Sequence, residues 1–172
     1  MTDEQRYLEL FHEMQRLAAR NSWGDPFSYA RSREIYMAVT LKHQIADTLS
    51  GADGVNQNGD EVEYKSTIGK AINGTYNGVS VQDSWCEQER YLREEKIAKY
   101  KEHYFARFKD GKIVELWKAP GDAVLRELLP KFKKQYHSPS KRKDPRLGVQ
   151  LTKTQIKRIG EKLSFTLTDK CL

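Results

Sequence analysis

The chain has 172 residues, 38% apolar and 31% charged, with a net charge of +6. That length buries roughly two-thirds of the unfolded surface, enough for one domain with a real core and too little for two full ones. No apolar run approaches the roughly 18 residues of a membrane span, no basic-then-apolar leader opens the sequence, and Cys86 and Cys171 form no CxxC pair. These features argue against a membrane protein, a secreted disulfide framework and a structural zinc site, and make the cytoplasm the expected compartment.

In chain order, Leu10, Met14 and Leu17 recur at helical spacing with Tyr7 and Phe11 beside them, which predicts an amphipathic helix over about residues 2–20. Its apolar stripe either forms a dimer contact or buries against its own domain, the second being the default. Ile35, Ala38, Val39, Ile45, Ala46 and Leu49 mark a second helix closed by Ser50 and Gly51. "DEVEYKS" and "TYNGVSV" read as strands, and "SWCEQERYLREEKIAKYK" as a charged helix carrying Trp85, Tyr91, Leu92 and Ile97. "YFARFKDGKIVELWKA" is the clearest hairpin, two alternating arms around Asp110-Gly111. "GDAVLRELLPKFKKQY" predicts a helix burying Val124, Leu125, Leu128, Leu129 and Phe132, which Pro130 should kink or end. A loop, a brief strand near Val149 and a last helix from about Thr152 to Leu163 complete an α+β domain with a mixed central sheet flanked by helices. Within this single domain, residues 1–50 form two helices that are candidates for a dimer contact, 51–120 supply the sheet and 121–172 are basic.

The basicity is localised. Between Lys131 and Lys162 eleven Lys or Arg stand against Asp144 and Glu161, a local net of +9 in a chain of +6. Such a cluster is the electrostatic footprint of phosphate neutralisation, and equally an ordinary solvated lysine-rich face.

The most informative stretch is "GADGVNQNGDEVEYKST", residues 51–67. In a strand, side chains alternate, so Glu61, Glu63 and Lys65 share one face while Val62 and Tyr64 share the other. Two carboxylates beside an ammonium can hold a hard divalent cation, and Asp53 with Glu63 offers Mg2+ the one or two carboxylates it usually takes alongside substrate phosphate oxygens. Lys65 would then orient the attacking water in phosphodiester hydrolysis. The triplet alone is weak, since Glu94-Glu95-Lys96 repeats it on a helix, and a plain charged hairpin is the competing reading.

Asp53, Glu63 and Lys65 match the PD-(D/E)xK nuclease signature, and the wider chain resembles the PvuII-like type II restriction endonucleases of that superfamily. The likeness covers about residues 51–160: Gly-x-Asp, a nine-residue gap and Glu-x-Lys-Ser, then "KIAKYKEHYFARFKDGKIVELWK" and "LLPKFKKQYHS"; the proline that opens the signature is missing. The resemblance implies a restriction-endonuclease-like core, Mg2+ held by Asp53, Glu63 and the Tyr64 carbonyl, a catalytic Lys65, and Tyr100 close to the scissile phosphate. Tyr100 is equally a packing residue; Glu61 is a further metal contact or, by preference, a solvent-facing charge; Glu34 approaches a second ion or, by preference, stabilises its own helix.

The sequence departs from the family where DNA would be read. Asn73, Tyr76 and Asn77 suit base edges or a groove rim, or serve as turns, while Lys141, Arg142, Lys143 and Arg146 suit phosphates or guanines. None of the four histidines is assigned a catalytic role. The implied activity is Mg2+-dependent, sequence-specific cleavage of double-stranded DNA by a homodimer, each subunit cutting one strand to 5′-phosphate and 3′-hydroxyl ends. A structure-selective nuclease using the same three residues, and a DNA-binding protein without activity, are the alternatives.

Overall fold

The computed structural model describes residues 1–47, 51–138 and 145–165. Helices α1 (Asp3–Arg20) and α2 (Arg31–Leu41) precede strands β1 (Gln44–Ile45), β2 (Gly54–Val55), β3 (Glu61–Thr67) and β4 (Gly74–Val79). Helix α3 (Trp85–Tyr91) continues as a π-helical turn (Leu92–Lys96) into strands β5 (Glu102–Lys109) and β6 (Lys112–Pro120), then α4 (Gly121–His137), β7 (Leu147–Leu151), α5 (Lys153–Ile159) and β8 (Glu161–Lys162). The architecture is α+β, with a mixed six-stranded central sheet in the order β1-β2-β3-β5-β6-β8 and helices flanking it. Strands β4 and β7 form a separate antiparallel ribbon.

The pairing of β3 with β5 is parallel and sets Glu63 beside His103 and Lys65 beside Phe105. Alternation then sorts the sheet into two faces. Val62, Tyr64, Tyr104, Ala106 and Leu116 pack with Met37 and Ala38 of α2. Phe105 and Ala119 pack on the other face with Val124, Leu125, Leu128 and Phe132 of α4 and with Tyr76, Leu147 and Leu151 of the ribbon. Glu63 and Lys65 therefore lie on the face of the larger core, at its edge. The β5–β6 hairpin turns through Asp110 (φ 50°) and Gly111 (φ 73°), the two positive angles that Asp-Gly supplies with least strain. At the start of α4 a side chain on Gly121 would collide with the Tyr100 carbonyl, so only glycine lets that helix pass so close to the segment before β5.

Three expectations are corrected. The second helix ends at Leu41, where Lys42 turns left-handed (φ 57°); Ile45 joins β1 and Ala46 donates its N–H to the Asp53 carbonyl at 3.3 Å. Pairing with β2 satisfies the backbone that a longer helix would have satisfied, and Ile45 is buried either way; Leu49 and Ser50 lie outside the described residues. Helix α4 does not end at Pro130 but runs through it to His137. The missing N–H and ring clash cost about 3 kcal/mol, while full burial of Leu128 and Phe132 on either side contributes about 1.5–3 kcal/mol each. The last helix stops at Ile159, because Glu161 and Lys162 pair with Lys118 and Trp117 as an edge strand.

Helix α1 forms as predicted, opened by a capping box between Thr2 and Gln5. Its apolar stripe is left largely uncovered among the described residues. Leu10, Met14 and Leu17 remain 42–43% exposed, Tyr7 more so, and Ala18 is the only buried residue of the helix. Phe11 stacks on Phe27 at 4.2 Å, which ties the helix to the following loop.

Candidate active site

The ten-residue spacing of Asp53 and Glu63 is the arithmetic of a hairpin. Strand β2 pairs antiparallel with β3, Val55 against Glu61 and Gly54 against Val62, and one more step of that register puts Asp53 opposite Glu63. The intervening loop is closed by Asn56, whose side-chain oxygen accepts from the N–H groups of Asn58 and Asp60 at 2.9 and 3.0 Å, with Gly59 at φ 83° supplying the turn. Asp53 is then held at two points of β3: its N–H donates to the Val62 carbonyl at 3.1 Å, and its Oδ2 accepts the Tyr64 N–H at 2.7 Å. Glycine is required at position 54, where a Cβ would run into the Tyr64 hydroxyl. That hydroxyl bonds the His43 ring at 2.8 Å, on the sheet face opposite Glu63 and Lys65.

Burial first, and the neighbouring Glu63 carboxylate second, push the Asp53 carboxyl up to about 8, against partial relief from Lys65. Burial pulls the Lys65 ammonium down, but Glu63, Asp53 and Glu34 outweigh it, so its pKa lies above the ordinary value. Lys65 is therefore a cation here, ion-paired with Glu63. Glu34, in the first turn of α2, adds its negative charge at Asp53 and Lys65 while bonding Arg31 at 3.3 Å. Burial raises the pKa of Tyr100, helped by Glu63 and Asp53, which puts its phenol in the field of the acidic pair. With Asp53 protonated, Glu63 and Lys65 balance each other; ionising Asp53 in this desolvated place adds one uncompensated negative charge, which a bound cation would offset.

The donor set fits a hard ion. Among the described residues no three His, Cys, Asp or Glu side chains gather to hold a metal, so Asp53 and Glu63 would complete their shell with backbone oxygen, that of Tyr64 being next in sequence, and with water. Two carboxylates plus water is a magnesium pattern rather than a zinc pattern.

The raised Asp53 pKa has a measurable consequence. An acid whose pKa is higher folded than unfolded keeps a proton in the fold that the unfolded chain releases; the stability it brings is complete below its ordinary value of 3.8 and is lost as pH rises through about 8. In metal-free buffer the melting temperature of the protein is therefore expected to fall across that window relative to Asp53→Asn, which lacks the titration. Parallel melting profiles for the two proteins would contradict the burial and crowding of this carboxyl.

The remaining expected residues divide. Tyr76 is buried at 6% exposure and turned inward, its ring beneath the Lys65 ammonium at 5.1 Å and its hydroxyl on His103 Nδ1 at 2.9 Å. Gly74 makes this possible, since any side chain there would strike the Phe105 ring and hold β4 away. Asn73 is half-buried just ahead of β4. Asn77 and Arg146 are exposed and brought together by the β4–β7 ribbon, Asn77 against Gly148 and the Arg146 guanidinium over Gly78. Lys141, Arg142 and Lys143 lie outside the described residues. Glu61 faces solvent and pairs with Lys99 at 3.3 Å.

His103 is the residue that sequence reasoning missed. No motif marks it, because it meets Glu63 and Tyr76 only through the parallel β3–β5 pairing and the docking of the ribbon. Comparison with protein-family models and with curated proteins finds no match.

Proposed function

We propose that this chain is a Mg2+-dependent, sequence-specific endonuclease of double-stranded DNA, a type II restriction enzyme built on a PD-(D/E)xK core. The observation that carries the reading is the crowding of Asp53 against Glu63 in a desolvated site beside a charged lysine, with Asp53 pushed up to about 8.

Phosphodiester hydrolysis needs a polarised phosphoryl oxygen, an aligned water and relief of the charge that builds on phosphorus. Mg2+ held by Asp53, Glu63 and the Tyr64 carbonyl would supply Lewis acidity and a bound water of lowered pKa. Lys65, kept protonated by its acidic neighbours, orients the attacking water or donates to a non-bridging oxygen. Tyr100 stays a phenol at any working pH and can donate to the same phosphate. Beyond the site, exposed Lys133 and Lys134 on α4 supply cations for the backbone, and Asn77 with Arg146 on the ribbon are suited to a groove, since a two-stranded ribbon fits the major groove of B-DNA. The exposed stripe of α1 is the candidate surface for the homodimer that a two-fold symmetric site requires.

Plasmid digestion in Mg2+, followed by mapping of the fragment ends, tests this. Discrete fragments with 5′-phosphates, abolished by a chelator, are expected. A smear or branch-dependent cutting would replace sequence specificity by structure selectivity, and salt-sensitive binding with no cleavage would remove catalysis altogether.

A further inference from the structure

We propose that Tyr76 is a positioning residue for Lys65: the face of its ring carries the ammonium, and a buried relay through His103 to the Ile97 carbonyl holds the ring at the required place. The proposal rests on the nuclease reading of Lys65, yet the contact itself stands on the geometry alone.

The relay starts in the π-helical turn. Ile97 donates its N–H to the Leu92 carbonyl at 2.8 Å, five residues back, so the chain leaves the regular helical ladder just before β5. Such turns recur at functional sites because they redirect the backbone groups that follow. The Ile97 carbonyl meets His103 Nε2 at 2.9 Å. A carbonyl only accepts, so Nε2 carries the proton and Nδ1 is left as the acceptor. Burial depresses the His103 pKa to about 3, which keeps the ring neutral and this tautomer in place throughout the functional range. Nδ1 then accepts the Tyr76 hydroxyl proton at 2.9 Å. The phenol keeps that proton, because burial and the charges of Glu63 and Asp53 raise its pKa.

The direction of that bond matters. With its O–H committed to His103, Tyr76 turns only its ring towards Lys65, whose Nζ lies 5.1 Å from the ring centroid. The negative face of an aromatic ring attracts a cation most where water is scarce. Glu63 holds the same ammonium from another side. A four-carbon stem has many rotamers; two contacts from different directions leave few of them. Tyr100 meets His103 in a T-shaped contact with ring centroids 6.1 Å apart, so two phenols that lie in the field of Glu63 share one buried imidazole as their support.

The experiment compares Tyr76→Phe, which keeps the ring and loses the hydrogen bond, with Tyr76→Leu, which fills much of the space and loses the ring. In Mg2+-dependent plasmid cleavage, Tyr76→Leu is expected to lower kcat about tenfold or more with KM for DNA unchanged, and Tyr76→Phe, whose ring His103 no longer holds, to lower it by a smaller factor of about threefold. In a Lys65→Ala background, neither substitution should add further loss. The second readout needs no activity: the Lys65 Hε protons, assigned by their absence in Lys65→Ala, should resonate upfield under the ring current in the parent, less so in Tyr76→Phe, and return to the ordinary position in Tyr76→Leu. Parental kcat in Tyr76→Leu, or an unshifted Lys65 resonance in the parent, overturns the proposal. A parent with no Mg2+-dependent cleavage but a shifted Lys65 resonance overturns the nuclease reading and leaves the contact supported.

Discussion

Asp53→Ala and Glu63→Ala should each slow Mg2+-dependent DNA cleavage by at least about a thousandfold, roughly 4 kcal/mol of transition-state stabilisation. The two side chains face each other across the β2–β3 register, so either deletion leaves a single carboxylate to hold the ion. DNA binding measured by fluorescence anisotropy in Ca2+ should be retained, because the basic surface of α4 and the ribbon lies on other elements. Stability should move the other way from activity: removing a carboxyl that burial and Glu63 push up to about 8 relieves the fold above that pH, so Asp53→Ala is expected to melt no lower than the parent in chelator. Loss of activity with retained or improved stability is the signature of a charge placed for function. If either alanine variant cleaves at the parental rate, the ion does not sit between these two residues.

The second large effect is on the fold. Arg31 is 1% exposed, yet its guanidinium is fully engaged: Nε donates to the Trp23 carbonyl, Nη2 to the Ala46 carbonyl, and Nη1 pairs with Glu34 at 3.3 Å. One side chain thus ties the loop after α1, the end of β1 and the first turn of α2, and Ala46 in turn donates to Asp53. Arg31→Met keeps the aliphatic length and strands two carbonyls and a carboxylate. Leaving a mostly buried charge unpaired costs about 3 kcal/mol or more, which for a chain of this size lowers the melting temperature by about 6–12 °C. Arg31→Lys should rescue little, since an ammonium cannot span three acceptors set in different directions. A melting temperature within about 2 °C of the parent would show that these acceptors find water instead. Cleavage should suffer less than stability, because Arg31 reaches Asp53 indirectly, through Ala46 and through the charge of Glu34.

Much of the site was legible in the sequence because its cause is local. Asp53 and Glu63 are ten positions apart with Asn56 and Gly59 between them, and a hairpin of that length has little choice of register. Alternation along β3 was equally readable: Val62 and Tyr64 are buried on one side, Glu63 and Lys65 share the other. The turn at Asp110-Gly111 followed from φ preferences that belong to two residues. Errors arose where a distant segment decided. Ile45 kept its apolar character and its burial but changed from helix to strand, because an edge of β2 was there to pair with it. Pro130 stayed inside α4 because the sheet face and the ribbon bury the side chains around it. The apolar stripe of α1 was correctly placed on the helix, but the described residues of its domain leave it largely exposed.

Tyr76 shows the division most clearly. From neighbours alone it stands among Asn-Gly turns and reads as a rim residue, whereas Gly74 lets β4 approach Phe105 and carries its ring under Lys65. By itself the sequence determined the α+β class, the hairpin, the acid pair and the lysine that alternates onto the same face as Glu63, since each depends on backbone angles and periodicities that act over a dozen residues or fewer. Only the tertiary structure decided what surrounds them: the parallel β3–β5 pairing that brings His103 beside Glu63, the inward turn of Tyr76, and the burial that drives the Asp53 pKa upward. Desolvation and long-range pairing are properties of the packed whole, and no short window of residues contains them.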